Sequence, residues 1–228
     1  MTTHSHIRWI RPAQQARSQE TVERLLDSAE ALIADKGFDD VTVAEIAARA
    51  GFSVGAVYSR FKDKQGVLHS LQIRFVNEAN LTTDDAFDPE RWQGASIEEI
   101  VSELVVFLVE IHRERRGVLR ELVARMQSQS SIVERKERLV AHVGEHLQLL
   151  LMARAERIRH PDPAAAVRFG LRLVLATLEQ AILFDETGAY GIPGSDEKLA
   201  SELTRAYLAY LDLAALTPDV TQASASQR

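Results

Sequence analysis

Two short helical segments lie next to each other early in the sequence, and the break between them restricts how they can pack. Thr42 and Glu45 match the T-x-x-E capping box that starts a helix, and Gly51 is placed to end it. These signals predict helices over about 43–50 and 54–61. A short glycine-containing turn between two such helices is typical of helix-turn-helix geometry.

The side chains of these segments predict how the second helix is held. Ser53 would cap that helix, and Ile46, Ala47 and Val57 would pack the two helices at a steep angle. Because Ala47 is small, the two backbones can approach closely. The second helix would then protrude far enough to enter the major groove of DNA, which is about 12 Å wide.

Helical periodicity continues along the chain, whereas alternating strand-like runs are missing. The expected fold class is therefore all-α. Caps, glycines and prolines predict the other elements: a first helix from Ser18 to Gly37, a fourth over about 65–79, a loop from Thr82 to Ala95, and later helices from Ser96 to a break at Gly117, over Val118–Met126, from Ser131 to about His160, from Pro163 to about Thr187, and from Ser195 to Thr217.

The composition excludes several other classes of protein. The chain has 228 residues, 46% of them hydrophobic and 26% charged, and no cysteine. Disulfides and thiolate metal sites are therefore excluded, which favours a reducing cytoplasm. Residues 1–12 lack the apolar core of a secretory signal. The longest apolar stretch, Leu171–Phe184, contains Arg172 and Glu179, so we predict a buried helix and no membrane span.

The charges are distributed unevenly. Residues 1–80 hold ten Lys/Arg and ten Asp/Glu, so the formal net charge of −6 belongs to the remaining residues. The first cations are Arg8, Arg11 and Arg17, with no acid among them. This distribution is compatible with an N-terminal part that contacts DNA. A flexible basic arm over 1–16 would then either remain a disordered tail or reach a minor groove.

Between Gly37 and Lys64 the sequence resembles the TetR family of transcriptional regulators. The resemblance rests on a constellation of short signals, which here are Gly37-Phe38, Thr42, Ile46-Ala47, Ala50-Gly51, Ser53, Tyr58, Phe61 and Lys64. It implies an all-α protein with a three-helix helix-turn-helix DNA-binding domain over 17–64. A larger helical ligand-binding and dimerisation domain would follow over 65–217, with a disordered tail over 218–228.

The resemblance also implies which residues meet DNA. Thr42, Tyr58 and Lys64 would contact phosphates, and Ala44 would lie on the same surface without polar reach. The groove-facing set would be Val54, Gly55, Ala56, Ser59 and Arg60. Because Arg60 is the only long polar side chain of this set, direct reading of bases would be sparse. DNA shape would then contribute to specificity.

A small-molecule cavity is the corresponding expectation for the second domain. Candidate lining residues on or near apolar faces are Trp92, Phe107, His112, Arg125 and Met126. The alternative is that these residues are ordinary core. The effector's identity is not encoded in any motif, and we predict no cofactor.

Together these features predict a homodimeric repressor that binds a palindromic operator in double-stranded DNA and leaves it when a small molecule binds. The dimer would use apolar stripes on the last two helices: Leu171, Val174, Leu178 and Ile182 on one, and Leu199, Leu203, Ala206 and Tyr210 on the other. The alternatives are a regulator controlled by a protein partner and a nucleoid protein without sequence specificity.

One short motif indicates a different class of protein. The segment His142-Val143-Gly144-Glu145-His146 matches H-x-x-E-H, in which both histidines face one way on a helix and Glu145 serves as the base of a zinc hydrolase. Nothing in the sequence singles out a third ligand. We therefore predict no catalytic residue, no metal site and no enzymatic activity.

Overall fold

The computed structural model describes residues 7–9, 17–124, 130–184 and 195–214. Within these ranges the chain is helical apart from turns and one isolated bridge between Ile158 and Leu213, so the all-α class is confirmed. The α-helices in chain order are α1 Arg17–Lys36, α2 Val43–Ala50, α3 Val54–Tyr58, α4 Lys64–Ala86, α5 Ile97–Glu114, α6 Arg116–Ala124, α7 Ser130–Met152, α8 Pro163–Leu178 and α9 Asp196–Leu211. A π-helical turn, Glu179–Phe184, continues α8.

The first three helices and the start of α4 enclose a small core of their own. Ile46, Ala47 and Val57 are buried in it, as the sequence predicts for residues that lock the helix pair. Gly37 and Gly51 follow α1 and α2 at φ +81° and +76°, a conformation that glycine adopts without strain. This core forms the N-terminal unit.

Helices α4–α9 enclose a second and larger core. In it, α9 packs against both α5 and α8. The ring of Tyr207 on α9 lies so close to Gly170 on α8 that a Cβ there would come within 2.0 Å of a ring carbon. The Tyr207 hydroxyl donates a hydrogen bond to the Val167 carbonyl at 2.5 Å. These contacts hold the last two helices against each other inside one chain.

This intrachain packing corrects the predicted dimer stripes. Six of their residues are buried within the single chain: Leu171, Val174, Leu178, Ile182, Leu199 and Leu203. Ala206 and Tyr210 are exposed. The apolar periodicity was real, but it marks the face that each helix turns towards its own core. The opposite faces of α8 and α9 carry exposed Phe169, Leu173 and Tyr210.

The predicted end of α4 and the loop after it are also wrong. The helix continues to Ala86, although the sequence from Thr82 onwards is polar. Thr82 and Thr83 are buried, and the hydroxyl of Thr83 donates to the carbonyl of Ala79 at 2.8 Å, so the helix satisfies its own polar group. The expected loop then contains one 3₁₀ turn, Pro89–Trp92.

Four other boundaries differ from the prediction. The second helix of the pair ends at Tyr58 and not at Phe61. The break after α5 lies at Arg115, and Gly117 is inside α6. The last two differences are at later helix ends. α7 stops at Met152, and α9 stops at Leu211.

A network of ion pairs, in which Arg74, Arg115 and Glu78 are buried, joins the two units, and we call it the junction network. It consists of Glu23, Asp27 and Glu30 on α1, Arg74 and Glu78 on α4, and Arg115 between α5 and α6. Arg74 bonds Glu30 at 2.6 Å, and Arg115 bonds the same carboxylate at 2.5 Å. Glu30 therefore links α1 to both α4 and the start of α6.

The expected basic arm is partly docked on the second unit. Ile7 is buried in the larger core, and Trp9 packs against that core. Arg8 between them is exposed. Arg11 lies outside the described residues, as do the tail 218–228 and the candidate ligand residues Arg125 and Met126. No helix in the described ranges combines the length and apolar character that a membrane crossing requires.

Gly117→Ala should destabilise the protein by about 1–3 kcal/mol, because overpacking a tight contact forces backbone shifts. The added Cβ would lie 3.1 Å from the backbone N and Cα of Ala34, which cannot rotate away. The matched control is Gly144→Ala, where a Cβ meets only a Leu171 side-chain carbon at 3.8 Å. Urea unfolding followed by circular dichroism should show a loss for the first variant alone. Equal losses would contradict a close α1–α6 contact.

Candidate DNA-reading face and internal cavity

The helix pair begins at a fully formed capping box. The Glu45 amide donates to Thr42 Oγ1 at 3.2 Å, and the Thr42 amide donates to Glu45 Oε2 at 2.9 Å. Lys36 at the end of α1 donates to Glu45 Oε1 at 2.6 Å. These hydrogen bonds lower the pKa of Glu45 to about 2; the one from Lys36 has the largest effect, and those from Thr42 come next. Thr42 is left exposed at the surface where α2 starts.

The turn between α2 and α3 is held from α1. Arg24 donates through Nη2 to the carbonyl of Ala50 at 2.8 Å, and its guanidinium carbon lies 4.8 Å from the centre of the Phe52 ring. Ser53 caps α3 by accepting a hydrogen bond from the Ala56 amide at 3.2 Å. Polar contacts from α1 therefore fix the turn in addition to the core beneath it. The sequence prediction missed Arg24.

One face of α3 is directed to solvent. Tyr58 is 55% exposed and Val54 is 41% exposed, whereas Val57 points inward. Of the other predicted DNA-facing residues, Ala56 is half-buried and the following are exposed: Ala44, Gly55, Ser59 and Arg60. The face is therefore mainly small and apolar, with one hydroxyl-bearing ring and one guanidinium.

Arg60 is folded back along its own turn. Its Nη1 donates to the Ala56 carbonyl and to Ser59 Oγ, both at 3.0 Å. These contacts are exposed to water, so the net free energy that holds the side chain there is small. The guanidinium can leave them to reach a base edge.

Lys64 has a structural role that the sequence did not indicate. Its ammonium donates to the carbonyls of Phe38 and Asp39, each at 3.0 Å, and lies 4.5 Å from the centre of the Phe38 ring. An ammonium has three donors. Two of them tie the start of α4 to the loop after α1, and the third is left for another partner such as a phosphate.

A cavity of about 120 Å³ lies inside the second unit. Its wall comes from Ile7 and Trp9 and from helices α4 to α8, with the π-helical turn. Most of the lining is aliphatic or aromatic. Trp9 stacks on Phe75 and Phe107, with ring centres 5.2 Å and 6.4 Å apart. A mostly apolar cavity with few polar groups is the usual form of a small-molecule site.

The charged or ionisable groups in the wall are His112, Lys136 and Glu179. Lys136 and Glu179 form an ion pair. His112 Nδ1 bonds the carbonyl of Leu108 at 2.7 Å, and burial lowers the pKa of its imidazole, which favours the neutral ring. With the proton on Nδ1, Nε2 is a hydrogen-bond acceptor. Among the described residues, Nε2 has no protein partner.

The cavity is connected to the junction network through one side chain. Trp9 Nε1 donates to Glu78 Oε2 at 2.7 Å, and Glu78 is only 2% exposed. Arg115 bonds the same carboxylate oxygen at 3.3 Å and lies over the Trp9 ring at 5.3 Å. A displacement of the indole would therefore disturb the charges that hold α1.

Only some of the predicted cavity residues line the cavity. Phe107 and His112 lie in the wall. Trp92 does not, because it is fully buried in the core and donates through Nε1 to the Ala86 carbonyl at 2.7 Å. Trp9, Lys136 and Glu179 were missed. For Trp9 a signal existed, since Ile7 and Trp9 are apolar residues within a basic segment.

Comparison with known proteins gives two matches that together cover most of the chain. Residues 25–71 match the family described as bacterial regulatory proteins, tetR family. Residues 96–211 match the family described as Tetracyclin repressor-like, C-terminal domain.

Among the relatives, an uncharacterized HTH-type transcriptional regulator of Mycobacterium tuberculosis is 30% identical over 195 residues, which cover 84% of this chain and 95% of the relative. The HTH-type transcriptional repressor BepR of Brucella suis is 31% identical over 106 residues, 46% of this chain and 49% of that protein.

Two solved structures share the fold. A putative TetR-family transcriptional regulator from Mesorhizobium loti aligns with a TM-score of 0.63 and 21% identity, covering 86% of this chain and 98% of that one. Salmonella enterica GusR aligns with a TM-score of 0.61 and 18% identity, covering 87% and 99%.

The buried helix pair, the exposed face of α3 and these matches define a helix-turn-helix, DNA-binding transcriptional regulator. Its N-terminal unit carries the DNA-binding module and its larger helical unit the cavity. The chain belongs to the TetR family.

Proposed function

We propose that this regulator is a homodimeric repressor, located in the cytoplasm, which releases a palindromic operator when a small, largely apolar molecule enters the internal cavity. The observation that carries the proposal is the position of Trp9, which lines the cavity and hydrogen-bonds a buried member of the junction network. The match to BepR, which is named a transcriptional repressor, supports the repressor direction.

The chemistry of the wall favours an effector that donates a hydrogen bond. Nε2 of neutral His112 can accept one, and the Glu179 carboxylate is a second acceptor close to it. A hydroxyl or amine on an apolar body would meet these acceptors, and the ion pair between Glu179 and Lys136 leaves the two charged groups of the wall with no net charge. The effector class is therefore an uncharged or cationic apolar compound with a hydroxyl or amine group.

Release requires that the effector prefer one of two arrangements of the protein. An occupant of the cavity would press on Trp9, and the indole holds Glu78 beside Arg115. Arg115 in turn bonds Glu30 of α1. We propose that this chain of contacts, together with α4, changes the position of the DNA-binding unit and so the separation of the two reading helices in a dimer.

The exposed face of α3 is the proposed contact with operator DNA. Tyr58 and the remaining donor of Lys64 would meet phosphates, which set register without reading sequence. Thr42 would do so once its hydroxyl leaves Glu45 Oε2, to which it donates at 2.8 Å. Ala56 and Val54 would contact thymine methyl groups, and Arg60 would read a guanine edge. Because the face offers few donors, sequence-dependent DNA shape would supply part of the specificity.

The outer faces of α8 and α9 are the proposed dimer interface. Phe169 is 50% exposed, and its ring centre lies 5.1 Å from that of the exposed Tyr210. Leu173 follows one turn after Phe169 on the same helix face. An exposed apolar patch of this kind suits an isologous interface across a two-fold axis.

Two other functions are less well supported. Control by a protein partner does not account for a formed apolar cavity next to the junction network. A zinc hydrolase would have to act at the surface of α7, where His142 and His146 are partly exposed and lie outside the internal cavity. We infer that the chain is not an enzyme, and added zinc should produce no peptidase activity.

Arg60→Ala tests how sequence is read. Operator sequences are first selected from a random DNA library with the wild-type protein. If Arg60 bonds a guanine edge, the variant should lose about 1–3 kcal/mol at one base position and relax its preference there. A uniform loss across all operator variants would contradict base reading by Arg60.

Lys64→Ala and Tyr58→Phe test the phosphate contacts. Lys64→Ala should weaken all sequences alike and reduce the slope of log K against log salt by about one unit. Tyr58→Phe removes a neutral donor and should weaken binding without changing the slope. Thermal unfolding of Lys64→Ala controls for the lost hydrogen bonds to Phe38 and Asp39. An unchanged slope for a folded Lys64→Ala protein would exclude its phosphate contact.

Phe169→Asp tests the dimer interface. We expect light scattering to give twice the chain mass for the wild type at micromolar concentration and the single-chain mass for the variant, because an unpaired charge would be buried at the interface. Leu81→Asp is the matched control on α4, since Leu81 is also exposed at 41%. A monomeric wild type would contradict the proposal.

A pair of small probes tests the effector class. In wild type, 4-propylphenol should bind about fivefold more tightly than propylbenzene, since a net hydrogen bond is worth about 1 kcal/mol. His112→Leu should remove that preference. In wild type, 4-propylphenol should also weaken operator binding. In the Trp9→Phe variant the same probe should weaken operator binding less, because phenylalanine lacks the indole N–H that donates to Glu78. Calorimetry measures binding and fluorescence anisotropy measures release. Equal binding of both probes would contradict the proposed acceptors.

A further inference from the structure

The two histidines of the H-x-x-E-H segment face α4 across a surface groove. His142 and His146 lie one turn apart on α7, and their ring centres are 4.3 Å apart. Both are partly exposed, and neither belongs to the lining of the internal cavity. The function proposed above leaves this pair without a role.

α4 supplies the third group that the sequence did not reveal. Asp84 Oδ1 lies 2.8 Å from Nε2 of His142 and 3.7 Å from Nε2 of His146. Among the described residues, these three form the group whose possible metal-ligating atoms all lie within 4.8 Å of one another. Asp84 is far from both histidines in sequence, and the packing of α4 against α7 brings it there.

A hydrogen bond to its own helix orients the ring of His146 in the way that is usual for a metal ligand. Its Nδ1 donates to the carbonyl of His142 at 3.0 Å. Metal-bound histidines usually donate their other ring N–H to a carbonyl or carboxylate, which fixes the tautomer. With the proton on Nδ1, the lone pair of Nε2 is directed towards Asp84.

We propose that Asp84, His142 and His146 form a site for a divalent transition-metal ion of the zinc class. Imidazole and carboxylate are ligands that zinc prefers, and metal–ligand distances of about 2.0–2.2 Å imply ligand atoms roughly 3.3–3.6 Å apart in a tetrahedron. The distances of 2.8 Å and 3.7 Å to Asp84 lie close to this range. Water would complete the coordination.

The groove over the site also contains charged neighbours. Arg135, Arg138 and Glu145 line it together with Asp84 and His142. Arg138 is ion-paired with Glu134 at 3.7 Å, which offsets its repulsion of a cation. Glu145 can accept a hydrogen bond from a metal-bound water. Within this group the carboxylates of Asp84, Glu134 and Glu145 outnumber the guanidinium groups of Arg135 and Arg138, so the local charge permits a dication.

The position of the site assigns it a regulatory role, an inference that rests on the proposed function. α4 begins at Lys64, beside the DNA-reading face, and ends at Ala86. α7 contributes Lys136 and other residues to the cavity wall. An ion bound between the two helices fixes their separation and thereby changes operator affinity.

The first experiment measures the metal without DNA. Untagged, chelator-treated full-length protein is titrated with Zn²⁺ in competition with a chromophoric chelator, and with Co²⁺ by visible absorption. We expect one equivalent per chain and a Co²⁺ spectrum of low coordination number. His146→Ala should abolish stoichiometric binding, and Asp84→Asn should weaken it by about tenfold or more.

Controls separate this site from other histidines. His4 and His6 are the other closely spaced histidine pair in the sequence. Their replacement with alanine should leave the binding of one metal ion per chain unchanged, and so should His69→Ala on the exposed surface of α4. Zn²⁺ should raise the thermal midpoint of the wild type and not that of a folded His146→Ala protein. Loss of binding in the His4/His6 variant, or binding that survives His146→Ala, would overturn the assignment.

The second experiment measures regulation. With the site filled, operator affinity of the wild type should change by about fivefold or more, within the usual range of allosteric coupling, and that of His146→Ala should not. Stoichiometric binding without such a change would overturn the regulatory role. Because metal binding is measured without DNA, failure of the proposed repressor function would not be mistaken for failure of the metal site.

Discussion

The arrangement of the two units depends on the partly buried carboxylate of Glu30, which two buried arginines share. Arg74 and Arg115 are each only 8% exposed, and they come from different parts of the second unit. Removing charges from water costs several kcal/mol per ion, and only close opposite charges with good hydrogen bonds offset this. The network therefore tolerates few arrangements. It adds little net stability compared with an apolar contact, but it specifies how α1 sits on α4 and α6.

Because this specification is electrostatic, it can be changed by a modest displacement. Glu78 has two partners at hydrogen-bond distance, Arg115 and the indole of Trp9, and the indole borders a cavity. A rigid apolar contact would resist a small occupant, whereas a shared carboxylate can exchange partners. The cavity and the DNA-reading face are thus related through few groups, and each of them can be substituted singly.

The sequence predicted those features that are encoded within a few residues. The capping box at Thr42, the glycine ends at Gly37 and Gly51, and the start of α8 at Pro163 all lie where expected, because local hydrogen bonds and backbone preferences determine them. Features that depend on distant residues were not predictable. Thr83 is polar but satisfied inside a helix, and the stripe at Leu171 faces its own chain. Asp84 reaches the α7 histidines only through packing.

Ile7 and Trp9 precede the DNA-binding unit in the chain, yet they complete the core and the cavity of the unit that follows it. The chain therefore leaves the larger body, builds the helix-turn-helix, and returns along α4. In topological terms the DNA-binding unit is an insertion, because the chain connects both of its ends to the larger unit. It is not a terminal domain joined by a single linker. Between those two ends, α1 is also held against α4 and α6 by Glu30. The DNA-binding unit therefore has less rigid-body freedom than a domain on a single linker, and any movement of the reading helix must be accompanied by a change in these contacts.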